Sequence, residues 1–414
     1  MTDLFWPGDE RAGELMSDAS LLEAMVRVEA AWLEALIDTG LAPAGSDTDL
    51  TATVTADDVE QIAAAAEAGG NPVIPLVRLL RSRVGFDAAR WLHRGLTSQD
   101  VLDTALVLVT KDVLDRVLDE LRSQVIALSI LAERHAKTPM VGRTLTQHAL
   151  PTTFGAVVAS WLDGLLDAAE LVVDTRSMLP AQLGGAVGTL AATVELAALR
   201  GLPDAPSVAK KAVAVAGESL GLQVHRPWHT ARGPFTRAAD ALLSCTDAWG
   251  HVATDVATLS RTEIGELAEP SGDGRGGSST MPHKHNPVLS VLVRRAALTA
   301  PGLVSTMHLA AAVTGDQRPD GAWHAEWATL RTLGRRSVVA ASQTTELLQG
   351  LHVDTARMAA SLATSSHDVL AERRGIADLL DAAHDPDPAT YIGIAGDLVV
   401  GAVDRGRTFL KENA

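Results

Sequence analysis

The chain has 414 residues, is 47% hydrophobic and 3% aromatic, and carries a formal net charge of -16. Its length allows two or three domains with a large core, and its charge argues against nucleic acid as a main partner. The single cysteine, Cys245, excludes a disulfide framework. An acidic N-terminus and the lack of span-length apolar runs predict a cytoplasmic protein with no membrane partner.

Helical periodicity dominates the chain from its N-terminal part onward. Apolar residues recur at three- and four-residue steps over 21–36, and a shorter helix is predicted over 56–68. The stretch GNPVIPLV then marks a turn, and another helix is predicted to follow it up to about residue 83. An apolar stripe from Leu102 to Leu131 predicts a helix over 98–136, which would be roughly 55–60 Å long. Helices of this length usually bundle with others, often across subunits.

Further long helices are predicted over 151–178, 233–267, 287–313 and 322–348, with a kink at Pro301. A glycine-rich break separates two of them at 182–189, and no convincing pair of alternating strands is found. The predicted fold class is therefore all-α. We expect an N-terminal helical domain over 1–105, a central long-helix bundle over 106–350 and a short C-terminal helical domain over 351–414.

A first group of polar residues, 93–100, stands at the predicted start of the longest helix. Free N–H groups at a helix N-terminus favour an anion, and Thr97 and Ser98 add hydroxyl donors. Simple N-capping, with Asp100 as the acidic third position, would explain one hydroxyl equally well. It would leave His93 and Gln99 unexplained, so both interpretations stay open.

Two more groups interrupt the apolar pattern in the middle of the chain. Residues 142–148 place Gln147 and His148 with three other polar side chains just before the helix predicted from Pro151. The glycine-rich break at 182–189 is compatible with a site but fits a tight helix–helix crossing equally well.

The most informative segment is 277–287, with the sequence GSSTMPHKHNP, which follows four glycines within 271–277. Such a loop can close over a ligand and present several donors. A serine there needs nearby positive charge to act as a base, and Lys284 and the following helix start can supply it. Arg318 suits bidentate carboxylate binding. No metal site is expected, because His324 and Glu326 lack the spacing of one helix face.

These motifs resemble those of the fumarase/aspartase superfamily. Its signature GSSxMPxKxN matches residues 277–286, and residues 97–100 resemble the TSxD motif of its adenylosuccinate-lyase-like branch. The resemblance implies a three-domain fold, a homotetramer with a twenty-helix core and active sites shared between subunits. It also implies a small polycarboxylate substrate and no cofactor or metal.

Within that superfamily the chain is most similar to the bacterial 3-carboxy-cis,cis-muconate cycloisomerases, over strings such as TPMVGRTLTQHALPTT and QLGGAVGTLAA. The implied reaction is lactonisation to 4-carboxymuconolactone in protocatechuate catabolism, through an enediolate-like intermediate. The resemblance assigns Ser278 proton transfer and Lys284 charge stabilisation, and we hypothesise that His148 assists catalysis. The implied substrate-binding residues are His93, Thr97, Ser98, Gln147, Ser279, Met281, Asn286 and Arg318.

One departure from the superfamily pattern concerns the leaving group. Many of its lyases read GRTHxQ, with a histidine that assists the leaving group, whereas this chain has Leu145 at that place. In the reverse of lactonisation a carboxylate leaves as an anion, with a pKa of about 4, and needs no acid. Leu145 therefore favours the cycloisomerase. The alternative is adenylosuccinate lyase or a related C–X lyase acting on a succinyl compound.

Overall fold

The computed structural model describes residues 3–272, 274–277, 280–281 and 284–413, and these residues are mainly helical. The all-α prediction is confirmed. The helices are α1 (Asp18–Asp38), α2 (Val59–Ala66), α3 (Val73–Arg83), α4 (Phe86–Trp91), α5 (Ser98–Arg134), α6 (Phe154–Ser177), α7 (Ala191–Leu199), α8 (Ala205–Ser219), α9 (Gly233–Leu259), α10 (Val288–Ala312), α11 (Gly321–Gln349), α12 (Thr355–Thr364), α13 (Ser366–Val369), α14 (Ala371–Leu379) and α15 (Ala395–Glu412).

The long predicted helices are present, with most of their ends close to the expected positions. The predicted helix over 98–136 is α5, and those over 287–313 and 322–348 are α10 and α11. The exception is α9, which ends at Leu259 rather than at Leu267. Gly265 has φ of 64°, and its N–H donates to Arg261 O at 2.7 Å, so the chain turns there instead of continuing as a helix.

The expectation that no strand pair exists is wrong. Strands β1 (Pro139–Thr144) and β2 (Gln147–Thr153) form an antiparallel hairpin, and β3 (Leu267–Ala268) pairs with β4 (His352–Val353). In the first hairpin, Leu145 and Thr146 have φ of 49° and 70°. Hairpin turns with two positive φ values usually carry asparagine, aspartate or glycine. Their absence here removed the usual sequence signal.

The chain divides by its internal contacts into two compact units. The first comprises residues 1–116, 172–242 and 301–336, and the second comprises residues 117–171, 243–300 and 337–414. The division into three domains at residues 105 and 350 stays a prediction.

The first unit has a core of aliphatic and aromatic side chains from its helices. Trp32 and Leu36 of α1, Leu80 of α3 and Leu102 of α5 are almost completely buried. Helix α1 packs against α8. This burial supplies roughly 1.5–3 kcal/mol for each large apolar side chain, and it holds the start of α5 in place.

The second unit combines close helix packing with buried polar contacts. A Cβ added to Gly250 of α9 would lie 2.6 Å from Cβ of Ala297 on α10, so these helices approach closely. Gln124 of α5 accepts a hydrogen bond from Trp249 Nε1 at 2.8 Å and donates to Ala341 O at 2.9 Å. These contacts fix the second unit's segments of α5, α9 and α11 around one core.

One helix in the described part of the chain, α10, is long and apolar enough to cross a membrane by length and composition. Only 33% of its apolar 18-residue stretch is buried. A single such helix is weak support for a membrane span, because helices of soluble proteins pass the same test.

Candidate active site

The loop before α5 and the first residue of that helix carry three of the predicted substrate-binding residues, all in the first unit. His93 has φ of 61°, and its Nδ1 lies 2.6 Å from Oε1 of the fully buried Glu29. His93 and Ser98 line one cleft of about 350 Å³ together with Arg78 and Arg81. Two guanidinium groups and a helix start suit a carboxylate ligand. His93 and Ser98 were predicted from the sequence, whereas the two arginines were not.

Asp100 joins the start of α5 to the glycine-rich break. Its buried carboxylate accepts hydrogen bonds from the N–H groups of Thr97, Gly184 and Gly185 at 2.9–3.0 Å. Gln182 Nε2 donates to it as well, at 2.9 Å. The acidic half of the predicted capping box is thus confirmed. The glycine-rich break is a packed structural element, since three of its residues serve this one carboxylate.

A buried charged cluster forms around Asp103, near the start of α5 in the first unit. Arg232 binds Asp103 at 2.7 and 3.1 Å and Glu326 at 2.6 to 3.1 Å, and all three side chains are at most 1% exposed. Trp323 Nε1 and Gln99 Nε2 donate to the Asp103 carboxylate. Gln99, which N-capping left unexplained, therefore belongs to this cluster.

The two acids of this cluster favour the charged form of Arg232. Burial acts to lower the pKa of the Arg232 guanidinium, but Asp103 and Glu326 outweigh it and hold that pKa above its ordinary value. Burial raises the pKa of Glu326, although Arg232 opposes this effect. This cluster was not predicted from the sequence. The one local feature that pointed to it was Asp103, an acid directly beside the apolar stripe that starts at Leu102.

His324 and Glu326 face different sides of α11, as their two-residue spacing predicts. Glu326 is buried in the cluster, whereas His324 is exposed and its Nε2 lies 2.8 Å from Gly70 O. Within the described residues, no three His, Cys, Asp or Glu side chains are grouped to hold a metal ion. Cys245 is buried, and burial raises the pKa of its thiol.

The second polar group forms the β1–β2 hairpin of the second unit, rather than the start of a helix. Gln147 and His148 are exposed at the beginning of β2, and His148 Nδ1 contacts Oγ of Ser365. Arg143 forms a two-pronged ion pair with the buried Glu266, at 2.7 and 2.9 Å. Leu145 is 96% exposed at the tip of the hairpin. Arg143 is thus committed to structure, while Gln147 and His148 are accessible.

The signature loop is described in part, also in the second unit. The Lys284 side chain is exposed, and the backbone N–H of Lys284 donates to the backbone O of the exposed Met281 at 3.0 Å. The backbone N–H and the side-chain amide of Asn286 both donate to Gly276 O, at 2.8 and 3.1 Å. Asn286 thereby ties the two ends of the loop together. The predicted catalytic residue Ser278 and the predicted substrate-binding residue Ser279 lie outside the described residues.

The helix start after Asn286 does not supply free positive charge, contrary to the expectation from sequence. Glu269 accepts hydrogen bonds from the N–H groups of Leu289 and Ser290, at 2.9 and 2.7 Å. A carboxylate at this position compensates the positive end of the helix dipole. Among the described residues of this segment, Lys284 is exposed and can offer its charge to a ligand.

The remaining predicted residue, Arg318, lies in the first unit. It is exposed before α11, and its guanidinium carbon is 5.5 Å from the centre of the Trp323 ring. Stacking on an aromatic ring leaves the N–H groups at the guanidinium edge free to bind a carboxylate. Neither unit contains the whole predicted set. The first holds His93, Thr97, Ser98 and Arg318, and the second holds Gln147, His148, Met281, Lys284 and Asn286.

Comparison with known proteins places the chain among enzymes of one family. The family model described as "Lyase" matches residues 19–302. Nitrosuccinate lyase of Streptomyces davaonensis is 39% identical over 364 residues, which are 86% of this chain and 76% of that protein. The 3-carboxy-cis,cis-muconate cycloisomerase of Pseudomonas aeruginosa is 41% identical over 370 residues, covering 88% of this chain and 78% of that enzyme.

Solved structures give the same result. The 3-carboxy-cis,cis-muconate lactonizing enzyme from Pseudomonas putida superimposes with a TM-score of 0.83 at 33% identity, covering 96% of this chain and 97% of that one. The match extends over nearly the whole chain. The chain therefore belongs to the lyase family of the fumarase/aspartase superfamily.

Proposed function

We propose that the protein is a cycloisomerase that converts 3-carboxy-cis,cis-muconate to 4-carboxymuconolactone in the catabolism of protocatechuate. The observation that carries this proposal is the joint likeness, in sequence and in structure, to enzymes of that name. A substrate with three carboxylates suits the cationic residues of the candidate site. Arg78 and Arg81 share a cleft with His93, and Lys284 and Arg318 are exposed.

The proposed chemistry needs one proton transfer and one site for developing negative charge. A substrate carboxylate oxygen adds to a double-bond carbon, and the π electrons move onto the carbon beside another carboxylate. Lys284 and Asn286 stabilise the resulting enediolate-like intermediate. Ser278 then delivers a proton to that carbon and regains one from solvent, so the lactone forms with net uptake of one proton. Thr97, Ser98, Gln147 and Arg318 hold the substrate carboxylates.

The exposed leucine at the hairpin tip fits this reaction. In the reverse direction the bond that breaks releases a carboxylate, whose conjugate acid has a pKa of about 4. Such a group leaves as an anion without a general acid, so a leucine at position 145 is compatible with the reaction. His148, which contacts Ser365, is proposed to orient a carboxylate or to support proton transfer.

A second candidate function is a C–X lyase acting on a succinyl compound, and the similarity to nitrosuccinate lyase favours it. Nitrite is also a stable anion that leaves without a general acid. Leu145 therefore separates both reactions from lyases with poor leaving groups, but it does not separate them from each other.

Turnover assays with the purified protein distinguish the candidates. We expect 3-carboxy-cis,cis-muconate to lose its conjugated diene absorbance in the ultraviolet, with 4-carboxymuconolactone as the product. Nitrosuccinate tests for release of fumarate and nitrite, and adenylosuccinate tests for release of fumarate. Efficient turnover of either succinyl compound, with no loss of the diene absorbance, would overturn the cycloisomerase proposal.

A matched pair of serine variants tests the proton-transfer role. Ser278→Ala should lower kcat by about a hundredfold or more, the usual size of a general acid–base contribution. Ser271→Ala is the control, since Ser271 is exposed in the glycine-rich stretch before the signature loop. Full turnover by Ser278→Ala would refute the assigned role.

We further propose a homotetramer in which subunits complete each other's active sites. In the second unit, Ile126 and Ile130 of α5 and Val291 and Leu298 of α10 are 48–79% exposed. Pairs of large apolar side chains exposed one or two turns apart on a helix indicate an interaction surface. Light scattering should give a mass four times the 43.3 kDa of one chain. Cytoplasmic location and the absence of nucleic-acid and membrane partners stay predictions.

A further inference from the structure

Helix α1 buries a carboxylate that the proposed chemistry does not use. Glu29 is 0% exposed, although its neighbours on the helix include the buried apolar residues Val28 and Trp32. Its Oε1 lies 2.6 Å from His93 Nδ1. Its Oε2 is buried and has no hydrogen-bond partner within the described residues.

Such a group is not explained by packing alone. Removing a carboxylate from water is unfavourable unless partners compensate it, and a leucine would fill the space without that cost. One hydrogen bond to a partly exposed histidine compensates Glu29 incompletely. Buried polar groups with incomplete compensation often occur where they position another residue.

The contact determines which face of the imidazole ring is offered to a ligand. An ionised carboxylate can only accept, so the Nδ1–H tautomer of His93 satisfies this contact by donating to Glu29. The second ring nitrogen, Nε2, has no protein hydrogen bond within the described residues. His93 lines the cleft with Arg78, Arg81 and Ser98, so Nε2 is the nitrogen available to a ligand there.

We propose that Glu29 is a positioning residue for His93. It holds the ring in one orientation and in the Nδ1–H tautomer, so that Nε2 meets a substrate carboxylate or its proton. The φ of 61° at His93 adds a constraint, because the left-handed conformation is uncommon for residues with a side chain. This inference rests on the proposed use of the cleft for substrate.

The tautomer of His93 is the direct test, and it does not depend on turnover. Two-bond ¹H–¹⁵N correlation spectra of histidine-labelled protein, assigned with His93→Ala, should show the Nδ1–H form in the wild type. In Glu29→Leu the Nε2–H form, which free imidazole side chains prefer, should become the major one. Glu34→Gln, at an exposed position of the same helix, is the control. An Nε2–H form in the wild type would overturn the proposal.

Kinetics separate positioning from a general effect on the fold. Glu29→Leu should lower kcat/KM about tenfold or more, as expected for a lost hydrogen bond to a charged group. In a His93→Ala background, the same substitution should cause no further loss of kcat/KM. An equal loss in both backgrounds would show a merely structural role and refute the proposal. If the wild type does not turn over 3-carboxy-cis,cis-muconate, the proposed function fails while the spectra still decide the role of Glu29.

Discussion

Replacing Arg232 by methionine should destabilise the protein strongly, because it leaves two buried carboxylates without their cation. Arg232 makes five hydrogen bonds to Asp103 and Glu326, at 2.6 to 3.1 Å, where neither acid is more than 1% exposed. Removing one partner of a buried ion pair typically costs about 3–5 kcal/mol. With two acids left unpaired, we expect a loss at or above the upper end of that range.

Urea unfolding followed by circular dichroism measures this effect. Arg407→Met is the matched control, because Arg407 is 63% exposed and pairs with the half-exposed Glu133. An exposed pair contributes at most about 1 kcal/mol. If Arg232→Met loses no more stability than Arg407→Met, the reasoning from burial is wrong. A triple variant that also carries Asp103→Asn and Glu326→Gln should recover part of the loss, since it removes the unpaired charges.

The same cluster predicts how the stability of the variant depends on pH. The pKa of Glu326 is already raised in the folded protein, mainly by burial, and loss of Arg232 removes the interaction that lowers it. The folded state therefore binds more protons than the unfolded state above the ordinary glutamate pKa of about 4.3. Stability should fall as pH rises from there through the folded pKa. The pH range over which stability falls should extend to higher pH in Arg232→Met than in the wild type. Equal pH profiles of stability for the two proteins would contradict this.

Three further predictions concern packing, assembly and reactivity. Gly185→Ala should cost about 1–2 kcal/mol or more, because φ is 73° and the added Cβ would lie 2.9 Å from Gly95 O. Gly164→Ala, which meets nothing within 4 Å in a helix, should be neutral or stabilising in the same melting experiment. Leu298→Asp should lower the mass measured by light scattering, whereas an unchanged tetramer would exclude this surface. Cys245 should resist a thiol reagent until the protein is unfolded, since it is fully buried.

The helices were largely predictable because their apolar residues follow the helical period over long distances. Helix α5 begins at Ser98 as expected, and its apolar stripe is buried. The hairpin of β1 and β2 was not predictable in this way. Its turn has Leu145 and Thr146 at positive φ, and β2 contains a proline, so its local sequence does not resemble a hairpin. Pairing with the neighbouring strand overrides these local preferences.

The roles of side chains were likewise predictable only where their partners are close in sequence. Short-range motifs located Thr97, Ser98, Lys284 and Asn286, because a helix start or a loop brings together residues that are adjacent in sequence. The role of Arg143 depends on Glu266, which is 123 residues away, and the pairing of Arg232 with Asp103 spans 129 residues. Such partners carry no local signal in a single sequence.

The sequence by itself determined the fold class, the positions of the long helices and the likeness to the fumarase/aspartase superfamily. Only the tertiary structure decided which polar groups are committed to the fold. It assigned Asp100, Asp103 and Arg232 to buried contacts, left Lys284 and Arg318 exposed, and placed His93 partly exposed against Glu29. The physical reason is that periodicity and motifs depend on neighbours along the chain, whereas burial and ion pairing depend on neighbours in space.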